Sequence, residues 1–124
     1  MRKQILVLLA MSIGSAGAQR HTLLQQAPPK TRSRVNPFAG RPEAVRAGSK
    51  IYARECASCH GPTGEGAGKA PPLARKDLIE APPGTVFWAL TQGSLKRGMP
   101  SFASLPEQQR WQLIAFLQSR SEDK

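Results

Sequence analysis

Hydrophobic residues recur at helical spacing in three stretches of this 124-residue chain, and nowhere do they alternate as in a strand. The first helix is expected to open at Pro42 and Glu43, because proline suits the first helical position and an acid complements the helix dipole. Its apolar stripe comprises Ala44, Ala47, Gly48 and Ile51, with Val45 and Tyr52 beside it. A helical glycine costs up to ~1 kcal/mol relative to alanine. Gly48 therefore indicates either the close approach of another backbone or a glycine tolerated near a helix end.

The middle of the chain contains a shorter helical pattern between loops. The stretch "GTVFWALTQG" is predicted to form a helix that stops at Gly93. Its apolar face comprises Val86, Phe87 and Leu90. Glycine and proline predict loops at residues 61–75 and around residues 94–102, and residues 75–80 are expected to form one helical turn.

The last helix has the clearest start signal. Ser104 and Glu107 match a capping box, Pro106 lies in the expected first turn, and the helix is predicted to end near Ser119. Its apolar residues are Trp111, Leu113, Ile114, Ala115, Phe116 and Leu117. Three or more short helices joined by long loops predict an all-α fold.

The first 41 residues differ in composition from the rest. Residues 1–18 are predicted to be a cleaved signal peptide, since two basic residues, a short apolar run and an A-x-A site follow in order. Residues 19–41 hold five basic residues and no acid, and they are predicted to be a flexible basic linker. The alternative is a docking arm for an anionic membrane surface or an acidic partner. Residues 42–124 form the predicted domain. The chain has a net charge of +10, but an exported protein is not expected to bind nucleic acid through it.

A domain of this size with long loops usually needs a staple, a metal or a cofactor, and residues 56–60, "CASCH", offer all three chemistries. Cys56 and Cys59 are the only cysteines in the chain. A thioredoxin-like redox pair needs a βαβ context, which this pattern lacks. A structural zinc site needs four ligands, whereas the cysteines and His60 give three and His21 lies in the linker. C-x-x-C-H is the attachment motif of haem c, in which each thiol forms a thioether and the histidine ligates the iron.

The second axial ligand is predicted to be Met99. Once the signal peptide is removed it is the only methionine, and it lies between Gly98 and Pro100 in a loop. A methionine that fills a core more often lies on a helix stripe. His60 and Met99 together would saturate the iron.

With these residues in place, the chain resembles a monohaem class I c-type cytochrome of the bacterial periplasmic type over residues 42–120. The matching features are Gly48 and Tyr52, residues 56–60, Pro71-Pro72-Leu73, Gly98-Met99-Pro100, and Leu113 and Phe116. The resemblance implies a small cytochrome c fold around one covalently bound haem, with the first and last helices crossing at Gly48. It also implies that a proline carbonyl accepts a hydrogen bond from the ligating imidazole, for which Pro71 and Pro72 both qualify. Packing is the expected role of Trp88, because a tryptophan on a short apolar helix more often packs, whereas in some relatives a tryptophan in this region bonds a haem propionate.

The predicted function is single-electron transfer between periplasmic or membrane redox partners, and not catalysis. Val86, Phe87, Leu90 and Phe102 are expected to bury the haem ring. Lys96 and Arg97 precede Met99 and are predicted either to dock acidic redox partners or to be a solvated loop. Two alternative functions are a haem subunit of a periplasmic dehydrogenase or oxidase, with residues 19–41 as its attachment arm, and a peroxidase in which Met99 is displaced.

Overall fold

The computed structural model describes residues 22–120. The predicted signal peptide, the first residues of the predicted linker and the last four residues of the chain lie outside the described residues. Within residues 22–120 the fold is all-α, as predicted, with five α-helices, three short 3₁₀ helices and no strand. The α-helices are α1 (Pro42–Glu55), α2 (Ala57–His60), α3 (Lys76–Ile79), α4 (Pro83–Gln92) and α5 (Glu107–Gln118), and the 3₁₀ helices are Leu24–Gln26, Pro29–Ser33 and Leu95–Arg97.

Helices α1 and α5 cross where α1 carries its glycine. A Cβ atom built on Gly48 would overlap the carbonyl oxygen of Gln112 in α5 and lie 2.8 Å from Cβ of Phe116. Only a residue without a side chain allows this approach, which confirms the close-backbone explanation of Gly48. Leu113 and Ile114 lie at the centre of the core with no exposed surface.

The predicted capping box at the start of α5 is wrong. The helix begins at Glu107, and Pro106 occupies the N-cap position in an extended conformation, with no side-chain capping bond. Ser104 is therefore two residues before the N-cap instead of at it. The Glu107 carboxylate accepts a hydrogen bond from the Arg34 guanidinium at 2.8 Å instead of reaching back to the backbone.

Residues 28–36 pack against the helical domain, which differs from the linker expected from composition. The hydroxyl groups of Thr31 and Thr85 lie 3.1 Å apart, and the Asn36 side chain donates to the carbonyl of Trp111 at 2.9 Å. Thr31 and Asn36 are both buried. The segment lacks hydrophobic periodicity because single polar residues make its contacts, and pattern analysis does not detect such contacts.

None of the helices within residues 22–120 is long and apolar enough to cross a bilayer.

Candidate haem attachment site

The two cysteines are placed at the ends of one helical turn. Cys56 caps the C-terminus of α1, donating its backbone N–H to Tyr52 at 2.9 Å, and α2 starts at the next residue. Within this turn the backbone N–H groups of Cys59 and His60 both donate to the carbonyl of Cys56, at 3.2 and 2.9 Å. Both cysteines are free, with Cys56 buried and Cys59 exposed. The turn thus presents two thiols and an imidazole from five consecutive residues.

Burial keeps the Cys56 thiol neutral. Desolvation, followed by the negative charges of Glu55 and Cys59, raises the pKa of Cys56 to about 11. A protonated thiol in an apolar environment is a poor metal ligand, because the thiolate is the form that binds metal. Within residues 22–120, moreover, no three histidine, cysteine, aspartate or glutamate side chains lie close enough to hold a metal ion.

The imidazole of His60 is fixed by a backbone carbonyl. Its Nδ1 atom lies 3.0 Å from the carbonyl oxygen of Pro71. A carbonyl only accepts hydrogen bonds, so Nδ1 is the donor in this contact and Nε2 is the nitrogen that is left for a metal ion. A hydrogen bond of this kind orients a metal-binding histidine and raises the basicity of its other nitrogen. Of the two prolines that the sequence left open, the fold brings the carbonyl of Pro71 to His60.

The loop after α2 folds back to bring Pro71 into position. Gly66 donates its backbone N–H to the carbonyl of His60 at 2.7 Å, and Leu73 donates to Gly64 at 2.8 Å. Gly64 and Gly66 both have positive φ angles, of 74° and 86°, a region that favours glycine. The glycine-rich sequence therefore supplies the reversals that return the chain to the imidazole.

Tyr52 anchors the start of this loop from α1, a contact that sequence reasoning missed. Its hydroxyl group donates to the carbonyl of Gly61 at 2.6 Å, and the side chain is only 2 % exposed. Burial raises the pKa of Tyr52 above 10.0. The available signal was a phenol in an apolar stripe, since a buried tyrosine hydroxyl usually finds a hydrogen-bond partner.

Met99 lies in a loop that is closed by an antiparallel bridge. Its backbone N–H and C=O pair with those of Ser94, at 2.9 Å in both directions. Gly98 adopts the left-handed conformation before it. The Met99 side chain is half-buried and packs against the hydrophobic core, which includes Cys56.

The residues expected to bury the ring belong to that same core. The four are Val86, Phe87, Leu90 and Phe102, and each is buried. Trp88, in contrast, is half-buried and lies outside this cluster. Lys96 and Arg97 are exposed in the 3₁₀ helix that precedes Met99, and Leu95 beside them is 88 % exposed.

The chemistry of these donors fits a covalently bound haem c. Two thiols lie on one turn, an imidazole is oriented by a carbonyl, and a thioether side chain packs on an apolar core shared with Cys56. Thiols for two thioethers and nitrogen and sulfur ligands for iron are the groups that such a haem needs.

Comparison with known proteins agrees with this arrangement. Residues 43–117 match the family model described as cytochrome c oxidase, cbb3-type, subunit III. The crystal structure of cytochrome cL from the marine methylotrophic bacterium Methylophaga aminisulfidivorans MPT has a TM-score of 0.62 and 21% identity, over 86% of this chain and 72% of that chain. Cytochrome cL from Hyphomicrobium denitrificans has a TM-score of 0.57 and 22% identity, over 78% of this chain and 65% of that chain. No curated protein matches the chain. At these identities the two crystal structures establish the fold.

Proposed function

The chain belongs to the c-type cytochrome family described as cytochrome c oxidase, cbb3-type, subunit III, and from that premise we propose that it carries single electrons with His60 and Met99 as axial ligands. Cys56 and Cys59 hold the covalently bound haem c. The haem iron supplies a one-electron couple between its ferric and ferrous states. The protein is not itself a catalyst in this proposal.

The hydrogen bond between His60 and Pro71 is the observation that carries the proposal. A carbonyl at 3.0 Å holds the imidazole in the tautomer whose Nε2 is free to bind iron. The same bond prevents rotation of the ring between oxidation states. His60 is thereby preorganised, so little rearrangement accompanies electron transfer.

Met99 supplies the second ligand and contributes to the reduction potential. A thioether ligand raises the potential relative to a second nitrogen ligand. Burial by Leu90 and Phe102 acts in the same direction, since an apolar environment disfavours the more highly charged oxidised state.

Absorption spectra of the oxidised and reduced protein test this ligand pair. The wild type, matured in a host with a haem c attachment system, is expected to show sharp low-spin bands when reduced and the weak red sulfur-to-iron band when oxidised. Met99→Ala should lose the sulfur-to-iron band. Leu105→Ala should keep it, because Leu105 is another half-buried residue on the same core but carries no sulfur. A wild-type spectrum without this band would contradict Met99 as a ligand.

Carbon monoxide binding separates an electron carrier from a peroxidase. A carrier with both axial positions filled should resist carbon monoxide in its native reduced state. Strong binding by the wild type would favour the peroxidase alternative, in which Met99 is displaced.

The partner surface of the carrier is proposed to surround Leu95, Lys96 and Arg97. This 3₁₀ helix ends two residues before Met99, and its exposed leucine lies beside two basic residues. Exposed cations steer acidic partners and give fast association that weakens with salt. The expected partner is therefore an acidic redox protein.

Electron-transfer kinetics at low and high salt test this surface. Lys96→Ala should slow transfer to an acidic partner at low salt, and the difference from wild type should shrink as salt screens the charges. Lys50→Ala is the matched control, because it removes the same charge from an exposed position on α1. Equal rates for the two variants would contradict docking at this helix.

A second candidate function is a haem subunit of a larger exported assembly. The subunit named in the family description favours it. Native gel electrophoresis of gently solubilised cells, stained for haem, distinguishes the two functions: a free carrier migrates near the mass of the monomer and a subunit with a much larger complex.

N-terminal sequencing of the protein from the periplasmic fraction tests the proposed export, with Gln19 as the expected first residue.

A further inference from the structure

Residues 28–36, here called the strap, tie the start of α4 to α5. Gly84 in the first turn of α4 donates its backbone N–H to the carbonyl of Arg34 at 3.2 Å. The Thr31 hydroxyl pairs with that of Thr85 in the same turn, at 3.1 Å. At the other end of the strap, Asn36 donates to the backbone of α5 at 2.9 Å. A Cβ atom on Gly84 would overlap the Thr31 carbonyl, so α4 is shaped to accept the strap.

Aromatic stacking beneath the strap joins the two helices. Phe87 of α4 and Trp111 of α5 stack with their ring centroids 4.2 Å apart. The Arg34 guanidinium lies 4.4 Å from the Phe87 centroid and 5.1 Å from that of Trp111. One strap side chain therefore covers both rings, and an arginine over an aromatic face is attracted to it.

The opposite end of α4 holds the Met99 loop, residues 94–102. Phe102 donates its backbone N–H to the carbonyl of Leu90 at 2.8 Å, and the Ser101 hydroxyl donates to the carbonyl of Thr91 at 2.6 Å. Both acceptors lie in the last turn of α4, whose carbonyls lack partners within the helix. The loop thus depends on where α4 ends.

A direct contact also joins the N-terminal segment to the Met99 loop. With its amide oxygen facing Arg97, Gln26 accepts from both terminal guanidinium nitrogens, at 3.1 and 3.2 Å. Leu24, in the same 3₁₀ helix as Gln26, packs against the hydrophobic core. The segment before α1 therefore contacts the start of α4 through the strap and the Met99 loop through Gln26.

We propose that the strap positions Met99 on the iron by fixing α4, with Thr31 and Asn36 as positioning residues. This inference rests on the proposed ligation by Met99. The ten-residue helix α4 transmits the constraint as a rigid element. Loss of the strap contacts lets the end of α4 shift and increases the fraction of molecules in which Met99 is off the iron.

Imidazole added to the oxidised, haem-loaded protein measures that fraction. Imidazole binds to the iron only in molecules from which Met99 has dissociated. Its apparent dissociation constant is therefore inversely proportional to the fraction of molecules without bound Met99. The double variant Thr31→Val/Asn36→Ala loses its two hydrogen bonds to α4 and α5, together with the local bonds of Thr31 to Pro28 and of Phe38 to Asn36. It should bind imidazole about fivefold to thirtyfold more tightly than wild type. Its sulfur-to-iron band should also disappear at a lower imidazole concentration.

Gln118→Ala is the matched control for a general loss of stability. The Gln118 side chain donates to the carbonyls of Leu78 and Ala81 at 3.0 and 2.8 Å, so its variant also loses two hydrogen bonds between distant segments. These bonds join α5 to α3 and to the residues after it instead of α4 to the strap. The control should bind imidazole as wild type does, and denaturant unfolding of both variants shows whether their stability losses match.

The outcomes separate the strap from the ligand assignment. Equal imidazole affinity in the wild type and the double variant, or an equal shift in Gln118→Ala, would overturn the role of the strap while Met99 stays the ligand. A wild type without the sulfur-to-iron band would overturn the ligand assignment and this inference with it. If the double variant does not accumulate haem-loaded protein, Thr31→Val alone decides: tighter imidazole binding supports the strap, and unchanged binding overturns it.

Discussion

Gly48→Ala is predicted to destabilise the protein although alanine is the better helix former. On propensity alone the substitution should add about 1 kcal/mol of stability. At the crossing of α1 and α5, however, the new Cβ would overlap the carbonyl oxygen of Gln112 and lie 2.8 Å from Cβ of Phe116. Overpacking typically costs about 1–3 kcal/mol, and we take the upper value because the main obstacle is helix backbone, which does not rotate away. The net loss is therefore about 2 kcal/mol, and the melting temperature should fall by about 10 °C.

Thermal and denaturant unfolding of the haem-loaded protein, followed by far-ultraviolet circular dichroism, measure this loss. Ser49→Ala is the matched control, because Ser49 is the next residue of α1 and is exposed. It tests the gain in helix propensity without the contact, and its melting temperature should rise slightly or stay the same. A rise in the melting temperature of Gly48→Ala would refute the close crossing, since propensity alone would then govern the result.

Three further predictions concern Tyr52, Arg34 and Trp88. Tyr52 is the only tyrosine in the chain, and burial raises its pKa above 10.0, so phenolate absorbance should titrate above that value in the folded protein and near it in denaturant. The free energy of unfolding should fall as the pH rises from the unfolded-state pKa through the folded-state pKa. A folded-state midpoint at or below 10.0 would contradict the burial. Arg34→Ala should lower the free energy of unfolding by about 1–2 kcal/mol in denaturant, since it removes cation–π contacts of about 0.5–2 kcal/mol and an exposed ion pair to Glu107 of about 0–1 kcal/mol. Glu107→Gln should lose only the contribution of the ion pair. Equal losses of stability in the two variants would argue against the cation–π contribution. Trp88→Phe should leave the reduction potential unchanged in a redox titration, as expected for a half-buried residue that packs; a lower potential would instead assign Trp88 to a propionate hydrogen bond, because an unbonded propionate favours ferric iron more strongly.

The amino-acid sequence alone determined the local chemistry of the site. The spacing of Cys56, Cys59 and His60 places three groups on one turn wherever that turn lies in the fold. The start of α1 at Pro42 also follows from local rules, because helix initiation depends on the first few residues. A local rule failed at Ser104, since Pro106 adopts an extended conformation and moves the N-cap toward the C-terminus.

Only the tertiary structure decided the contacts between residues far apart in the chain. The carbonyl of Pro71 rather than Pro72 faces the His60 imidazole because the glycine loop reverses the chain at that point. Asn36 bonds Trp111 across 75 positions of sequence, and no periodic pattern marks either residue as a partner. Helical periodicity reports which residues share a face, because neighbours three and four apart are set by the helix itself. Single hydrogen bonds between distant segments depend on how the whole chain packs, so the role of residues 28–36 emerged only from the folded protein.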